Sequence, residues 1–386
     1  MPKGNFPIEK FKNLNTPFYY YDTTLLRETL EVAQSEASKY GYHIHYAIKA
    51  NANKKLLDII KQAGIGLDCV SGGELKAGIE VGFSPDRIMF AGVGKTDDEI
   101  NIALDNNIGC FNVESVQELE IINSLAIAKG KTANIALRAN PNVDAHTHAK
   151  ITTGTYEDKF GINIELLPEA IKTVRLFKNI KLVGLHFHIG SQITDISTFE
   201  DLCVCINELQ DELEASGEAT VQHINIGGGL AINYEHPNHL PVPDFETYFR
   251  VFNKHLKLRK GQHLHCEPGR ALVAQSGTLI TRVLYVKKGI TKQFAVVDAG
   301  FSDLIRPAMY DAYHRIENIT SEDTPDVYDV VGPICESSDV FGKERKLNCT
   351  KRGDLIAIRS AGAYGESMAS QYNLRPLPKS YMSEEF

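Results

Sequence analysis

Lys49 closes the segment His43-Ile44-His45-Tyr46-Ala47-Ile48-Lys49, an apolar, β-prone run that passes into a loop at Ala50-Asn51. A lysine amine at the mouth of a strand, dry enough to lose its proton easily, condenses with an aldehyde to form a Schiff base, and that chemistry points to pyridoxal phosphate. A solvated strand-end lysine is the ordinary alternative, so the weight rests on what recurs downstream. Later β-rich runs end in residues of similar interest: Asp68, then Arg138 and Asn140, His188 with Ser191, Gly227-Gly228-Gly229, and Glu267-Pro268-Gly269-Arg270. A glycine triplet can be a tight turn and nothing more, but glycines also let backbone N–H groups approach a phosphate closely. Glu-Pro-Gly-Arg could be a surface turn with a salt bridge, yet a carboxylate there could keep a pyridine ring protonated and make it an electron sink. His188 could stack on a flat cofactor ring.

The elements that must position these residues alternate regularly. Short β-rich runs occur near 43–49, 66–70, 87–91, 109–113, 134–139, 182–188, 222–226 and 263–267. Between them lie helical stretches from Asn53 to Ala63, Thr96 to Asn106, Val116 to Lys129, Leu166 to Phe177, Thr198 to Ser216 and Phe245 to Leu258. Strand–helix alternation implies a parallel sheet, and about eight strands is the number a closed (β/α)8 TIM barrel requires. An open doubly wound sheet is the other architecture, but no GxGxxG follows the first strand. In a barrel the chemistry sits at the C-terminal ends of the strands, where the residues above gather on one rim.

After Arg270 the pattern changes. Thr278 to Val286, Gln293 to Val297, Val327 to Val331 and Asp354 to Arg359 read as strands joined by turns, which predicts an antiparallel β domain. The β-prone Phe18-Tyr19-Tyr20-Tyr21 adds a strand to it. The expected division is a barrel over 24–272 and a β domain from 1–23 and 273–386. The glycine and polar content between Asp144 and Lys159 marks a candidate mobile loop over the site.

A chain of 386 residues with a net charge of −8 and no basic stripe makes nucleic acid an unsuitable partner. No apolar run is long enough to cross a bilayer, and Met1-Pro2-Lys3-Gly4-Asn5-Phe6 lacks a signal-peptide layout, so a cytoplasmic protein is expected. Seven cysteines with no CxxC pair argue against a disulfide framework or a structural zinc site. The pairs His43/His45, His186/His188 and His263/His265 each share a strand face and raise a metal-dependent hydrolase as an alternative. The absence of an evident carboxylate cluster speaks against it, and no metal is expected.

Tyr46-Ala-Ile-Lys-Ala-Asn51, Ser71-Gly-Gly-Glu74, His188-Ile-Gly-Ser-Gln192, the Gly227 triplet, Glu267-Pro-Gly-Arg270, Arg306-Pro-Ala-Met-Tyr310, Cys335-Glu-Ser337 and Gly362-Ala-Tyr-Gly365 together resemble the diaminopimelate decarboxylases, in the barrel-type (fold type III) group of pyridoxal-phosphate decarboxylases. The likeness runs nearly the full length, with one departure at Ala231, where glycine is expected. It implies that the chain converts meso-2,6-diaminopimelate to L-lysine and CO2, the last step of lysine biosynthesis. Lys49 would carry the cofactor, Asp68 would also bind it, His188 would stack on its ring, and Glu267 would pair with the pyridine nitrogen. Ser191, the Gly227–Gly229 backbone and the loop through Gly269 and Arg270 would hold the phosphate end. Arg270, Arg306 and Tyr310 would grip the distal carboxylate of the substrate and Glu336 its distal ammonium. Cys335 would donate the proton, and Tyr364 would touch both cofactor and substrate. The likeness also implies a homodimer in which Cys335 and Glu336 reach the partner's site. Decarboxylases of another amino acid or of carboxynorspermidine, and a non-catalytic pyridoxal-phosphate-binding homologue, stay open.

Overall fold

The computed structural model describes residues 6–142, 159–217 and 221–386. The candidate loop between Asp144 and Lys159 therefore lies, Lys159 apart, outside the described residues. Two compact units are present: one comprises Met1–Thr29, Ile232–Pro243 and Arg270–Phe386, the other Leu30–Ala231 and Asp244–Gly269.

The second unit holds eight parallel strands, His43–Ala47, Gly66–Cys69, Ile88–Phe90, Cys110–Val113, Ala133–Asn140, Ile180–His186, His223–Asn225 and His263–Cys266. Each pairs with its neighbour, the last pairs with the first, and the fourth with the fifth, so the sheet closes on itself. A short extra strand, Ile162–Asn163, joins the edge of the fifth. Cys110–Val113 is buried at all four positions, as expected where helices cover one face of the sheet and side chains fill the other. Five of the helices start where short polar side chains satisfy first-turn N–H groups. Asn53, Ser71, Ser115 and Asp244 each accept from a first-turn N–H, and Thr96 and Glu99 form a reciprocal capping box.

Most strands end earlier than their apolar runs suggest. The first stops at Ala47, whose N–H bonds to Pro268 O, and Lys49 sits in the 3-10 turn Ile48–Ala50 that follows. The sixth stops at His186, leaving His188 and Ser191 in the loop beyond it. Ladder pairing ends where the chain must bend into a loop, while apolar character continues because those loop residues still cover the barrel.

The first unit is a β sheet built around Gly277–Lys288, Gln293–Val297, Ile316–Asn318, Pro325–Val331, Val340–Asn348 and Leu355–Ile358. Phe18–Tyr21 joins it antiparallel to Gly277–Lys288, as the sequence predicts. The sheet is mixed rather than purely antiparallel: Phe18–Tyr21 runs parallel to Lys379–Met382, and Gln293–Val297 runs parallel to Pro325–Val331. Short turns between neighbours predict antiparallel order, and these two parallel pairs join strands distant in sequence, where turn length carries no information. Phe11, Phe18, Tyr20, Ile280, Ile319, Leu355 and Ala357 form a core cluster of this unit.

Candidate functional site

Glu267, just past the last barrel strand, is held by three buried side chains. Its Oε1 accepts from Asn225 Nδ2 at 2.6 Å and from Asn112 Nδ2 at 3.2 Å, and its Oε2 lies 2.9 Å from His186 Nε2. Burial alone would push this carboxyl up, but the facing His186 and the Asn225 amide outweigh burial and hold it below the usual carboxylate range. The opposite holds for Asp68 on the second strand, which is buried with Oδ1 lacking a hydrogen-bond partner among the described residues. Burial, then the negative charge of Glu267, pushes Asp68 well above the usual carboxylate range. Two carboxyls thus face one barrel interior with their proton affinities pushed apart, Asp68 upward by burial first and then by the charge of Glu267.

Lys49 is exposed at the mouth of the first strand. Its charge acts on Asp68, Glu74 and His188, which places it beside the same rim. The Glu267–Gly269 turn comes close to it: a Cβ on Gly269 would lie 3.1 Å from Ala50 Cβ and 3.2 Å from Ala47 Cβ, the residues flanking the Lys49 turn. His188 Nδ1 accepts the Gly228 N–H at 3.2 Å, and burial, then Lys49 and Arg138, hold the imidazole well below its ordinary value. This ring is neutral.

The glycine triplet is required by close approach. Gly227 has φ +68°, and a Cβ there would sit 2.5 Å from Phe187 O and 2.7 Å from His188 Nδ1. Gly229 has φ +115°, with Ile193 Cδ1 2.9 Å from where a Cβ would be. Ala231 is not among the residues with left-handed backbone, so an alanine fits there without strain. Ser191 is half-buried in the loop between Gly190 and Gln192, both at positive φ.

In the first unit the chemistry centres on Tyr234. Its hydroxyl accepts from Arg270 Nη1 at 2.5 Å, and its ring lies under the guanidinium of Arg306 at 4.9 Å. Arg270 also covers Tyr364 at 5.0 Å and feels Tyr310 electrostatically. Both arginines are buried. Arg306 starts the helix Arg306–Tyr310. Tyr364 has φ +56°, a left-handed conformation rare for an aromatic residue and of the kind that functional sites retain. Cys335 and Glu336 lie in an exposed stretch, where Cys335 N–H donates to Asn373 Oδ1 at 3.1 Å and Glu336 accepts from Tyr372 OH at 2.6 Å.

Sequence reasoning missed Asn112, Asn225, Tyr234 and His314, and it read His186 only as half of a metal-binding pair. A polar residue on an otherwise apolar strand, as in Cys110-Phe-Asn-Val113, was the available signal. The other paired histidines bond to one another: His45 Nε2 meets His265 Nδ1 at 2.9 Å, and His265 Nε2 meets His223 Nδ1 at 2.9 Å. Among the described residues no group of three or more His, Cys, Asp or Glu side chains is arranged to hold a metal.

These features suit pyridoxal phosphate. A reachable lysine, a backbone cradle that a Cβ would fill, an ionised carboxylate held in place and a buried, unpartnered carboxyl oxygen match its aldehyde, phosphate, ring nitrogen and ring substituents in kind. Comparison with known proteins agrees. Residues 25–274 match the family described as pyridoxal-dependent decarboxylase, pyridoxal binding domain. The chain is 60% identical over 384 residues to a diaminopimelate decarboxylase of Bacteroides thetaiotaomicron, covering 99% of each, and 43% identical to one of Neisseria meningitidis, covering 93% of this chain and 87% of that one. The crystal structure of diaminopimelate decarboxylase from Helicobacter pylori complexed with L-lysine matches at a TM-score of 0.92 and 40% identity, over 98% of this chain and 94% of that one. A lysine/ornithine decarboxylase from Vibrio vulnificus, at 22% identity and a TM-score of 0.84, shares the fold. The chain belongs to the diaminopimelate decarboxylase family of pyridoxal-dependent decarboxylases.

Proposed function

We propose that the chain removes CO2 from meso-2,6-diaminopimelate to give L-lysine, the last step of lysine biosynthesis, with pyridoxal 5'-phosphate held in a barrel spanning 24–272. The bound cofactor supplies an aldehyde that captures the substrate amine and a ring that accepts the electron pair left by CO2. Lys49 would hold the cofactor through its amine. Glu267, kept ionised by His186, Asn112 and Asn225, holds the proton on the ring nitrogen. His188 would support the ring, Asp68 would bind the cofactor beside Lys49, and Ser191, Gly227, Gly228, Gly229, Gly269 and Arg270 would hold the phosphate.

Substrate choice falls to the β unit formed by 1–23 and 273–386 together with Arg270. Arg270, Arg306 and Tyr310 take the distal carboxylate, Glu336 the distal ammonium, and Tyr364 touches both substrate and cofactor. Cys335 returns the proton to the reacting carbon. Exposure of Cys335 and Glu336 supports their serving the site of a partner subunit, so the working unit is a homodimer in the cytoplasm. No helix among the described residues is long and apolar enough to cross a membrane.

The observation that carries the substrate assignment is Arg306, buried beside Arg270 with no carboxylate paired to it among the described residues. A buried, uncompensated guanidinium is costly unless an anion arrives, and planar forked donors suit a carboxylate. Ornithine or arginine would require acidic residues at Arg306 and Tyr310. Incubation of the purified protein with meso-diaminopimelate is expected to release CO2 and L-lysine, and turnover of ornithine or arginine instead would overturn the reading.

A further inference from the structure

His314 is completely buried and both of its ring nitrogens are engaged. Nδ1 lies 2.8 Å from the carbonyl oxygen of Arg359, and Nε2 lies 2.9 Å from Arg306 Nη1. These partners dictate the tautomer. A carbonyl can only accept, so Nδ1 carries the hydrogen, and a guanidinium can only donate, so Nε2 presents its lone pair. The ring is therefore neutral. It is also wedged edge-on against Tyr234, with centroids 5.1 Å apart and planes at 78°. Burial, with Arg306, Arg270 and Arg345 nearby, holds the imidazole at about 3 against a weaker upward pull from the Arg359 carbonyl.

A buried arginine is usually fixed by a carboxylate, which restrains its geometry and cancels its charge together. Here the two effects are separated. We propose that His314 is a positioning residue for substrate selection, orienting Arg306 through an uncharged acceptor so that the full positive charge of Arg306 remains for the distal carboxylate of the substrate. Tyr234 completes the support, since its ring lies under Arg306 while its hydroxyl takes a hydrogen bond from Arg270. The inference rests on the proposed decarboxylation of diaminopimelate and deepens it, because it assigns the distal-carboxylate preference to a residue that touches no substrate.

The test uses the full-length holoenzyme with His314→Gln, which keeps an acceptor for Arg306, His314→Leu, which removes it, and His314→Glu, which replaces it with a charge. L-lysine carries the distal carboxylate and cadaverine lacks it, so competitive inhibition by each isolates that group. For His314→Leu, the KM for diaminopimelate and the inhibition constant of L-lysine rise about tenfold, with a smaller change in kcat. His314→Glu raises both further, to about 50-fold, whereas His314→Gln stays within about threefold of the natural protein. Cadaverine inhibition moves less than about threefold in all three. The inference is overturned if cadaverine and L-lysine shift together, or if the Glu variant binds L-lysine as well as the Gln variant does. Should the Leu variant fail to fold, the Glu and Gln variants still decide the question, because they match in size and differ in charge. Failure of the natural protein to release CO2 from diaminopimelate would sink the parent reading instead, and that result is separate from any change among the variants.

Discussion

His186 Nε2 sits 2.9 Å from Glu267 Oε2, with both side chains buried and the imidazole's other nitrogen, Nδ1, without a hydrogen-bond partner among the described residues. The pair works as a unit with the two asparagine amides on Oε1. Removing the carboxylate by Glu267→Ala strands three buried polar side chains at once, at a cost of about 3 kcal/mol of folding stability. Urea unfolding of the cofactor-free protein measures this directly, and a change below about 1 kcal/mol would show that the network does not restrain Glu267.

Lys49 is the sole lysine expected to form a Schiff base with the cofactor. The purified protein should be yellow, and borohydride reduction should fix the pyridoxyl label on the peptide carrying Lys49. Lys49→Ala should abolish the reducible label and lower kcat by about a thousandfold or more. Recovery of the label on another lysine peptide would refute the assignment.

Acid sensitivity should come in part from the histidines near the start of the barrel strands. Burial, opposed by Glu267 and the Arg87 carbonyl, depresses His45 to about 4, and burial likewise lowers His43, His223 and His265. Their unfolded values lie near 6.5, so above that pH neither state binds the proton. As pH falls from about 6.5 towards 4, the unfolded chain gains protons that the folded one refuses, and stability drops by an amount on the order of 2 kcal/mol for His45. Asp303 acts with the opposite sign: burial raises it to about 6, so it gains stability as pH falls below that value. The difference between the natural protein and His45→Asn in urea midpoints at pH 7.5 and 5 isolates the imidazole contribution. Parallel midpoint curves for the two proteins would remove His45 from the account.

Cys335 lies in an exposed stretch, although its expected task is to protonate a carbon inside an active site. A shared site in a twofold dimer, as proposed, would resolve this, since each subunit would then complete the other. Cys335→Ala and Lys49→Ala should each be nearly inactive, and refolding them together should restore about a quarter of full activity, because half of the random dimers are mixed and one of their two sites is intact. Activity in the mixture no greater than the sum of the two variants alone would contradict the shared site.

Residue order along the chain determined the alternation of strand and helix, the helix starts and the gathering of Lys49, Asp68, His188, the glycine triplet and Glu267 near strand ends. These follow from local periodicity, from caps such as Thr96 with Glu99, and from the rule that places barrel chemistry on one rim. Tertiary structure alone decided who faces whom. Glu267 draws its partners from 42, 81 and 155 residues away, and no spacing rule connects Asn225, His186 and Asn112 to it. The same holds for His314, whose neutral form follows from a carbonyl 45 residues later and a guanidinium 8 residues earlier. Hydrogen bonding and charge compensation act through space, so the ionisation of a buried group belongs to the folded neighbourhood and is written nowhere in the local sequence.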